Sequence, residues 1–214
     1  MAPLRTRIVF VVAVVGLVAY VAVTSSSART SAGIAMPVFA TLPTVTLTDE
    51  HGAAFSRDAF LGKITIVDFI FTSCGTACPL LSAEMERLQD HVRKHGLTDR
   101  VRLLSVSVDP ERDTQARLLE FATRYHADPA LWRFVRGDEA ALRSVVVDGM
   151  KQVMDKQLDR GEKDGFTILH GTRMVLVDGD AQIRAFYDAT DPESMALLRR
   201  QLGEVTAQPI RVEP

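Results

Sequence analysis

Residues 64–88 read ITIVDFIFTSCGTACPLLSAEMERL and contain the only two cysteines of the chain, Cys74 and Cys78. The residues before them are apolar and rich in β-branched and aromatic side chains, which predicts a buried strand. The apolar residues after them recur at helical spacing, which predicts an amphipathic helix; they are Leu81, Met85, Leu88 and Val92. The two thiols are therefore predicted in a turn before a helix N-terminus, where the helix dipole lowers a thiol pKa.

The composition is that of a globular protein with an N-terminal extension. The chain has 214 residues, of which 47% are hydrophobic and 24% are charged, enough for one sizeable domain with a core. The formal net charge is −2, and no long basic run follows Arg7. This charge pattern gives no support to nucleic-acid binding.

The N-terminal segment predicts export of the domain across a membrane. Arg5 and Arg7 precede an uncharged apolar stretch, Ile8–Val23, which as a helix would reach about 24 Å. One interpretation is a short uncleaved anchor in the inner membrane, with the domain in the periplasm. The alternative is a signal peptide cut near Ala28, which would release a secreted or soluble periplasmic protein. We therefore divide the chain into a membrane anchor or signal segment (1–28), a tether (29–40) and a folded domain (41–214).

Export affects how the cysteines are interpreted, because two thiols in an oxidising compartment pair unless a metal or a reductant holds them. A bridge between Cys74 and Cys78 would close a loop of five residues. Such a short loop contributes only about 2 kcal/mol through chain entropy. A chemical role for the pair is therefore favoured over a structural disulfide.

The remaining pattern predicts an α/β fold of the thioredoxin-like type, with helices on both faces of a central sheet. We expect the cysteine helix to begin at Pro79 and end near Gly96. The later predicted elements are a strand at 101–108, a helix with Leu118, Leu119, Ala122 and Tyr125 on one face, a strand at 132–135, a helix at 139–147, an exposed insertion or hairpin at 149–165, hairpin strands at 173–177 and 182–187, and a helix from Asp191–Pro192 to about Leu202.

The spacing Cys-x-x-x-Cys allows a disulfide but also lets two sulfurs converge on one ion. Thiolates are soft ligands that select Cu(I) or Zn(II), and a structural zinc site requires four protein ligands. A histidine could complete a copper site, and His170 precedes a predicted buried strand whose entry faces the cysteine turn. The residues alone leave His170 open between a ligand and an ordinary loop histidine.

The other polar and sulfur-containing candidates are interpreted first as structural. His51, His91, His95 and His126 fit solvated surface positions, although the His91/His95 spacing would also allow chelation on one helix face. Met150 and Met154 fit apolar gap filling better than thioether ligation. Asp109 and Asp113 fit a turn and a helix N-cap, with Thr114 as the other cap candidate; the alternative is a partner-binding surface.

Three motifs together resemble the Sco/SenC family of copper chaperones. They are FTSCGTACPLLSAEMERLQ, the later SVDPERDT, and His170 ahead of MVLVDGDAQI. The resemblance runs from about Thr44 to Leu202. It implies a membrane-tethered, thioredoxin-like protein that binds one copper through Cys74, Cys78 and His170. It also implies delivery of copper to the binuclear site of cytochrome c oxidase, or to another copper protein, with a thiol reductant as a further partner.

The sequence departs from the family pattern beside the ligands. The family usually has Pro after the first cysteine and often Asp next; here the residues are Gly75 and Thr76. It often has Asp before the histidine, where this chain has Leu169. The departures bear on copper affinity and on the client protein, and they leave the three implied ligands in place.

The main alternative is an exported thiol-disulfide reductase, in which Cys74 attacks and Cys78 resolves. Thioredoxin-like oxidoreductases usually carry a cis-proline in the loop that faces their cysteines, but this chain has no proline between Pro129 and Pro192. A peroxiredoxin would need Pro-x-x-x-Thr-x-x-Cys, and neither cysteine has it. A purely structural interaction module would leave the reactive placement of both thiols unexplained.

Overall fold

The computed structural model describes residues 36–75, 77–158 and 166–206; for residues 77, 155–158 and 166–170 only the backbone is described. The predicted segment 1–28 and most of the predicted tether lie outside these ranges. Among the helices described, none is both long and apolar enough to cross a membrane. Residues 36–40 lie within the described part, where Phe39 packs edge-on against Phe186 with ring centroids 5.3 Å apart.

The described part alternates strands and helices along the chain. The elements are β1 (Ala40–Thr41), β2 (Thr46–Asp49), β3 (Ala54–Ser56), a 3₁₀ turn (Arg57–Phe60), β4 (Ile64–Ile70), α1 (Ala77–Lys94), β5 (Val101–Ser107), α2 (Gln115–Arg124), β6 (Trp132–Arg136), α3 (Glu139–Leu142), a π-helical segment (Arg143–Gly149), β7 (Met154–Leu158), β8 (Phe166–His170), β9 (Arg173–Val177), β10 (Gln182–Asp188) and α4 (Pro192–Thr206).

Eight strands form one sheet in the order β1-β10-β9-β4-β5-β6-β2-β3, and β7 pairs with β8 in a separate hairpin. Strands β4, β5 and β6 run parallel at the centre, while β9 joins β4 antiparallel on its other side. Parallel neighbours need long crossover connections, which α1 and α2 supply. All seven residues of β4 are buried, as expected for a central strand covered on both faces.

Side-chain alternation shows that both faces of the sheet are covered. Phe134 on β6 packs against Phe121 of α2, with ring centroids 6.1 Å apart, and lies opposite Ser105 on β5. Leu104, the neighbour of Ser105, points to the other face and shares a small cavity with Met150, which follows the π-helical segment. The predicted α/β layering is confirmed.

The start of α1 corrects the sequence prediction. The helix begins at Ala77, two residues before the predicted Pro79, so Cys78 lies within its first turn and not in the preceding loop. Pro79 is tolerated there because first-turn amides have no intrahelical acceptor. The other end agrees with the prediction: α1 ends at Lys94, and Gly96 has a φ of +66°, which favours glycine.

Three later predictions are corrected in detail. In α2, Leu119 is 44% exposed and Phe121 takes the buried position instead. The helix predicted at 139–147 is four α-helical residues followed by a π-helical segment. Met150 and Gln152, predicted in an exposed insertion, are buried; Met150 fills the core, as the structural interpretation expected.

The C-terminal predictions agree more closely with the structure. The hairpin of β9 and β10 has the predicted position, and α4 extends to Thr206, four residues beyond Leu202. The Asp191 carboxylate accepts the Glu193 amide at 3.0 Å, as expected of an N-cap.

Candidate metal site

The two cysteines lie where β4, the most buried strand, passes into α1. After Ile70 the chain turns through Thr72 and Ser73, and the Cys74 amide donates to the Phe71 carbonyl at 3.1 Å. Cys74 is partly exposed, whereas Cys78 has no exposed surface. One sulfur can therefore meet a partner from outside, while the other lies against the core.

The two cysteines are coupled by hydrogen bonds. The backbone amide of Cys78 donates to Cys74 Sγ at 3.4 Å, so the sulfur occupies the place of a capping oxygen at the start of α1. The pKa of the Cys78 thiol is raised well above its ordinary value, first by its hydrogen bond with the Cys74 side chain and then by burial. Ionisation of Cys78 is therefore disfavoured, and a metal that binds this sulfur must displace its proton.

Asp68, which the sequence analysis missed, lies behind this pair in the middle of β4. It is fully buried, and its Oδ1 accepts the Ser105 hydroxyl at 2.5 Å. The Trp132 indole N–H in turn donates to the Ser105 oxygen at 2.9 Å. The charge of Asp68 contributes to raising the Cys78 pKa. The available signal was a single acid within an otherwise apolar strand.

A second buried acid holds the segment before Cys74. The Asp113 carboxylate accepts the Thr72 amide at 3.1 Å, the Thr72 hydroxyl at 2.5 Å and the Ser107 hydroxyl at 2.5 Å. Burial nevertheless raises the Asp113 pKa, because it outweighs these hydrogen bonds. Of the two predicted cap candidates, Thr114 is the N-cap of α2, and Asp113 is not. Asp113 instead joins the SVDPERDT motif to the cysteine turn.

Asp109 also has a structural role. It is 1% exposed and pairs with Arg112, whose guanidinium lies 5.8 Å from the centroid of the Phe71 ring. Asp109 and Asp113 are both buried, so neither presents a carboxylate to a partner. The structural interpretation of both acids is therefore the correct one.

Tyr125, at the end of α2, is another neighbour of the cysteines that the sequence analysis did not identify as a site residue. Its ring packs against Phe121 with centroids 4.8 Å apart. Burial raises the Tyr125 pKa, and the charges of Cys78 and Cys74 add to this effect. Tyr125 thus belongs to the surroundings of the thiol pair.

An open cleft lies beside the turn that leads to Cys74. It has a volume of about 220 Å³ and lies between Thr72–Ser73 and α2. The α2 residues that line it are Arg117, Glu120, Phe121 and Arg124. A partner segment could enter here next to the more exposed sulfur.

The backbone brings the His170 region to the same edge of the sheet. Strand β9 pairs with β4 antiparallel, Val175 opposite Val67, so β9 begins near the end of β4 that leads to Cys74. His170 ends β8, three residues before β9 starts, and its Cα pairs with that of Met154. The position of its imidazole lies outside what the structure describes. Among the described side chains, no three histidine, cysteine or acidic residues form a metal-binding group.

The remaining histidines lie on the surface or on α1. His51 is 3.5 Å from Glu50, and His126, whose side chain is 80% exposed, pairs with Glu86 at 2.9 Å. The His91 and His95 rings lie 4.1 Å apart. The surface interpretation of His51 and His126 is confirmed.

A thioredoxin-like sheet with a Cys-x-x-x-Cys pair at the start of its first long helix defines a class of dithiol proteins with metal-binding capacity. Within that class, the SCO1/SenC family model matches residues 39–202. The chain therefore belongs to the SCO1/SenC family.

Individual relatives agree with this assignment. The SCO1 protein homolog of Bacillus subtilis is 29% identical over 147 residues, covering 68% of this chain and 72% of that protein. A SCO1/SenC family lipoprotein from Bacillus anthracis superposes with a TM-score of 0.69 at 26% identity, covering 79% of this chain and 96% of that one. Copper-bound ScoI from Bradyrhizobium japonicum gives a TM-score of 0.63 at 27% identity, covering 76% and 99%.

Proposed function

We propose that this protein is a membrane-tethered copper chaperone that binds one copper ion through Cys74, Cys78 and His170. The observation that carries the proposal is the coupled thiol pair, in which the Cys78 amide donates to Cys74 Sγ at the start of α1. One sulfur lies in the turn before α1 and the other in the first turn of the helix, and together they form a soft donor set that suits Cu(I). The antiparallel register of β9 and β4 supports His170 as the third ligand, because it brings the chain after His170 to the same edge of the sheet.

The proposed client is the binuclear copper site of cytochrome c oxidase, or another copper protein, as the family resemblance implies. The copper would leave by ligand exchange with thiolates of the client, after both cysteines of this protein have been reduced by a thiol partner. The partly exposed Cys74 and the cleft beside Thr72 and Ser73 support this route, because they leave one side of the donor set open.

Residues 1–28 are proposed to anchor the protein in the inner membrane, with the domain in the periplasm. The basic Arg5 and Arg7 before the apolar run Ile8–Val23 support this orientation. Residues 29–40 would then serve as the tether, and residues 41–214 as the copper-binding domain.

Copper binding is tested on the full chain in detergent, by titration with Cu(I) against a chromophoric competitor. We expect one-to-one binding that is lost in Cys74→Ala and Cys78→Ala and weakened about tenfold or more in His170→Ala. His126→Ala is the matched control, because His126 is a surface residue paired with Glu86. Absence of one-to-one binding, or full affinity in the His170→Ala variant, would contradict the three-ligand site.

A thiol-disulfide reductase acting on the cysteines of a copper protein is the second candidate. The unequal exposure of the cysteines favours it, since the outer thiolate can attack and the buried thiol can resolve. Attack by Cys74 on a client disulfide gives a mixed disulfide and one client thiol. Cys78 then displaces the second client thiol, forming Cys74–Cys78, which a thiol reductant must reduce. Rapid insulin reduction by the metal-free dithiol protein would favour this candidate.

A further inference from the structure

We propose that His91 and His95 form a second metal site, which takes one Cu(II) ion and is separate from the cysteine pair. The two residues are four apart on α1, so their side chains project from the same helix face. Their rings lie 4.1 Å apart between centroids, with an angle of 33° between the ring planes. Two imidazoles this close on one helix face can each bring a ring nitrogen to one ion.

A hydrogen bond of the His95 ring determines which of its two nitrogens can bind a metal. His95 Nδ1 lies 2.8 Å from the carbonyl oxygen of His91. A carbonyl oxygen can only accept, so Nδ1 carries the proton and Nε2 keeps its lone pair. Ligating histidines in metal sites usually donate their other ring N–H to such an oxygen, which orients the ring.

The His91 ring lies against the neighbouring helix α4. Its ring faces Arg199 on α4, and this contact with the Arg199 backbone by itself raises the His91 pKa. Burial and the charges of His95 and Arg199 outweigh this contact and lower the pKa below its usual value. The lowered pKa favours the neutral imidazole, which is the form that binds a metal.

The pair is far from the cysteines. His91 follows Cys78 by thirteen residues on one helix. At a rise of 1.5 Å per residue this separation is about 20 Å, so one ion cannot bridge the two sites. Among the described side chains, no third histidine, cysteine or carboxylate completes a three-ligand group with the pair. Water must fill the other positions, and the bound ion should exchange readily.

The chemistry of the ligands selects the metal. Imidazole suits Cu(II), Zn(II) and Ni(II), and among divalent ions Cu(II) binds nitrogen sites most tightly. Positive neighbours reduce the affinity, because Lys94 and Arg199 both act on the His91 ring. Arg199 is partly compensated by Glu84, 3.3 Å away. The site should therefore bind Cu(II) more weakly than the thiolates bind Cu(I).

The test uses the full chain in detergent with Cys74→Ser, Cys78→Ser and His170→Ala as a background, so that the proposed chaperone site is absent. Titration with copper(II) sulfate against glycine, followed by electron paramagnetic resonance, should give one signal with nitrogen coupling. His91→Ala or His95→Ala should each lower the affinity about tenfold or more, because chelation is lost.

His126→Ala is the control and should leave the titration unchanged. Lys94→Gln should raise the affinity by roughly twofold, since it removes an exposed positive charge. His95 is exposed, so its variant remains informative even if the half-buried His91 position does not tolerate Ala. Unchanged affinity in His95→Ala, or a signal without nitrogen coupling, would overturn the proposal. Failure of the chaperone site would leave this result unaffected.

Discussion

The backbone amide of Cys78 donates a hydrogen bond to the sulfur of Cys74 at 3.4 Å. The two cysteines of the Cys-x-x-x-Cys motif therefore differ in the hydrogen bonding and the exposure of their sulfurs. Cys74 is the outer sulfur, supported by an amide at the positive end of α1, whereas Cys78 is sealed against the core. A copper ion or a client disulfide would therefore meet Cys74 first.

We expect iodoacetamide to modify Cys74 about tenfold or more faster than Cys78 in the reduced protein at neutral pH. The reason is the difference in exposure, together with the amide that stabilises the Cys74 thiolate. Peptide mass spectrometry after timed quenching would measure both rates. In a Cys74→Ser variant, Cys78 should react slowly until denaturant is added. Equal rates at the two positions in the folded protein would contradict the inequality.

Replacing Asp113 with Ala should destabilise the protein by about 2–3 kcal/mol and weaken copper binding. The change removes the acceptor of three hydrogen bonds, two from the half-buried Thr72 and one from the buried Ser107 hydroxyl. Thr114→Ala, which removes only the N-cap of α2, is the adjacent control and should cost about 1 kcal/mol with copper affinity unchanged. Denaturant unfolding and Cu(I) competition measure the two effects. Equal copper affinity in both variants would argue against a positioning role for Asp113.

Asp113 also predicts a pH dependence of stability. Its pKa is raised by burial, so the folded state binds its proton more tightly than the unfolded chain does. By linkage, protonation of Asp113 stabilises the folded state fully below the unfolded pKa of about 3.9. This stabilisation is lost as pH rises through the folded pKa. The stability of the wild type relative to Asp113→Asn should therefore fall as pH increases from about 3.5 to neutrality. A relative stability that rises over this range would contradict the direction.

The strand–turn–helix arrangement around the cysteines follows from the sequence pattern, because β4 is apolar apart from Thr65 and Asp68 and α1 repeats its apolar residues at helical spacing. The buried acids could not be assigned in this way. Asp68 binds Ser105, 37 residues later, and Asp113 binds Thr72, 41 residues earlier. Periodicity describes only neighbouring residues, so partners this far apart in sequence can be assigned only when the register of the parallel strands is known. The exposed Leu119 was mispredicted for a related reason, since apolar character alone did not reveal that Phe121 would occupy the buried face of α2.

Two glycines beside the site should respond differently to alanine. At Gly75 an added Cβ would meet nothing within 4 Å, whereas at Gly171 it would lie 3.3 Å from the Gln152 side-chain oxygen. Gly75→Ala should stabilise the fold by about 0.4–1 kcal/mol, since it restricts the unfolded chain, and should leave copper affinity unchanged.

Gly171→Ala should instead cost about 1 kcal/mol, because Gln152 is buried and must move. It should also weaken copper binding, since Gly171 directly follows His170. Thermal unfolding and Cu(I) competition on the two variants give the comparison. The steric argument is wrong if Gly171→Ala is as stable as Gly75→Ala.

Arg133→Ala should reduce stability without affecting the copper site. Arg133 Nε donates to Glu50 at 2.8 Å, and its guanidinium also pairs with Asp49; both acids are buried. Removing one partner of a buried ion pair leaves uncompensated charge, at a cost of about 3 kcal/mol. Arg133 is in register with Val67 in the middle of β4, but it lies on β6, and β5 separates that strand from the β4 strand that leads to the cysteines.

The matched control is Arg93→Ala, which removes an exposed pair with Asp128 and should cost less than about 1 kcal/mol. Urea unfolding should separate the two variants, while Cu(I) competition below the unfolding transition should give the wild-type affinity for both. Loss of copper affinity in folded Arg133→Ala would mean that the ion pair is coupled to the cysteine turn through β5. That result would contradict the prediction that Arg133 stabilises the fold without affecting copper binding.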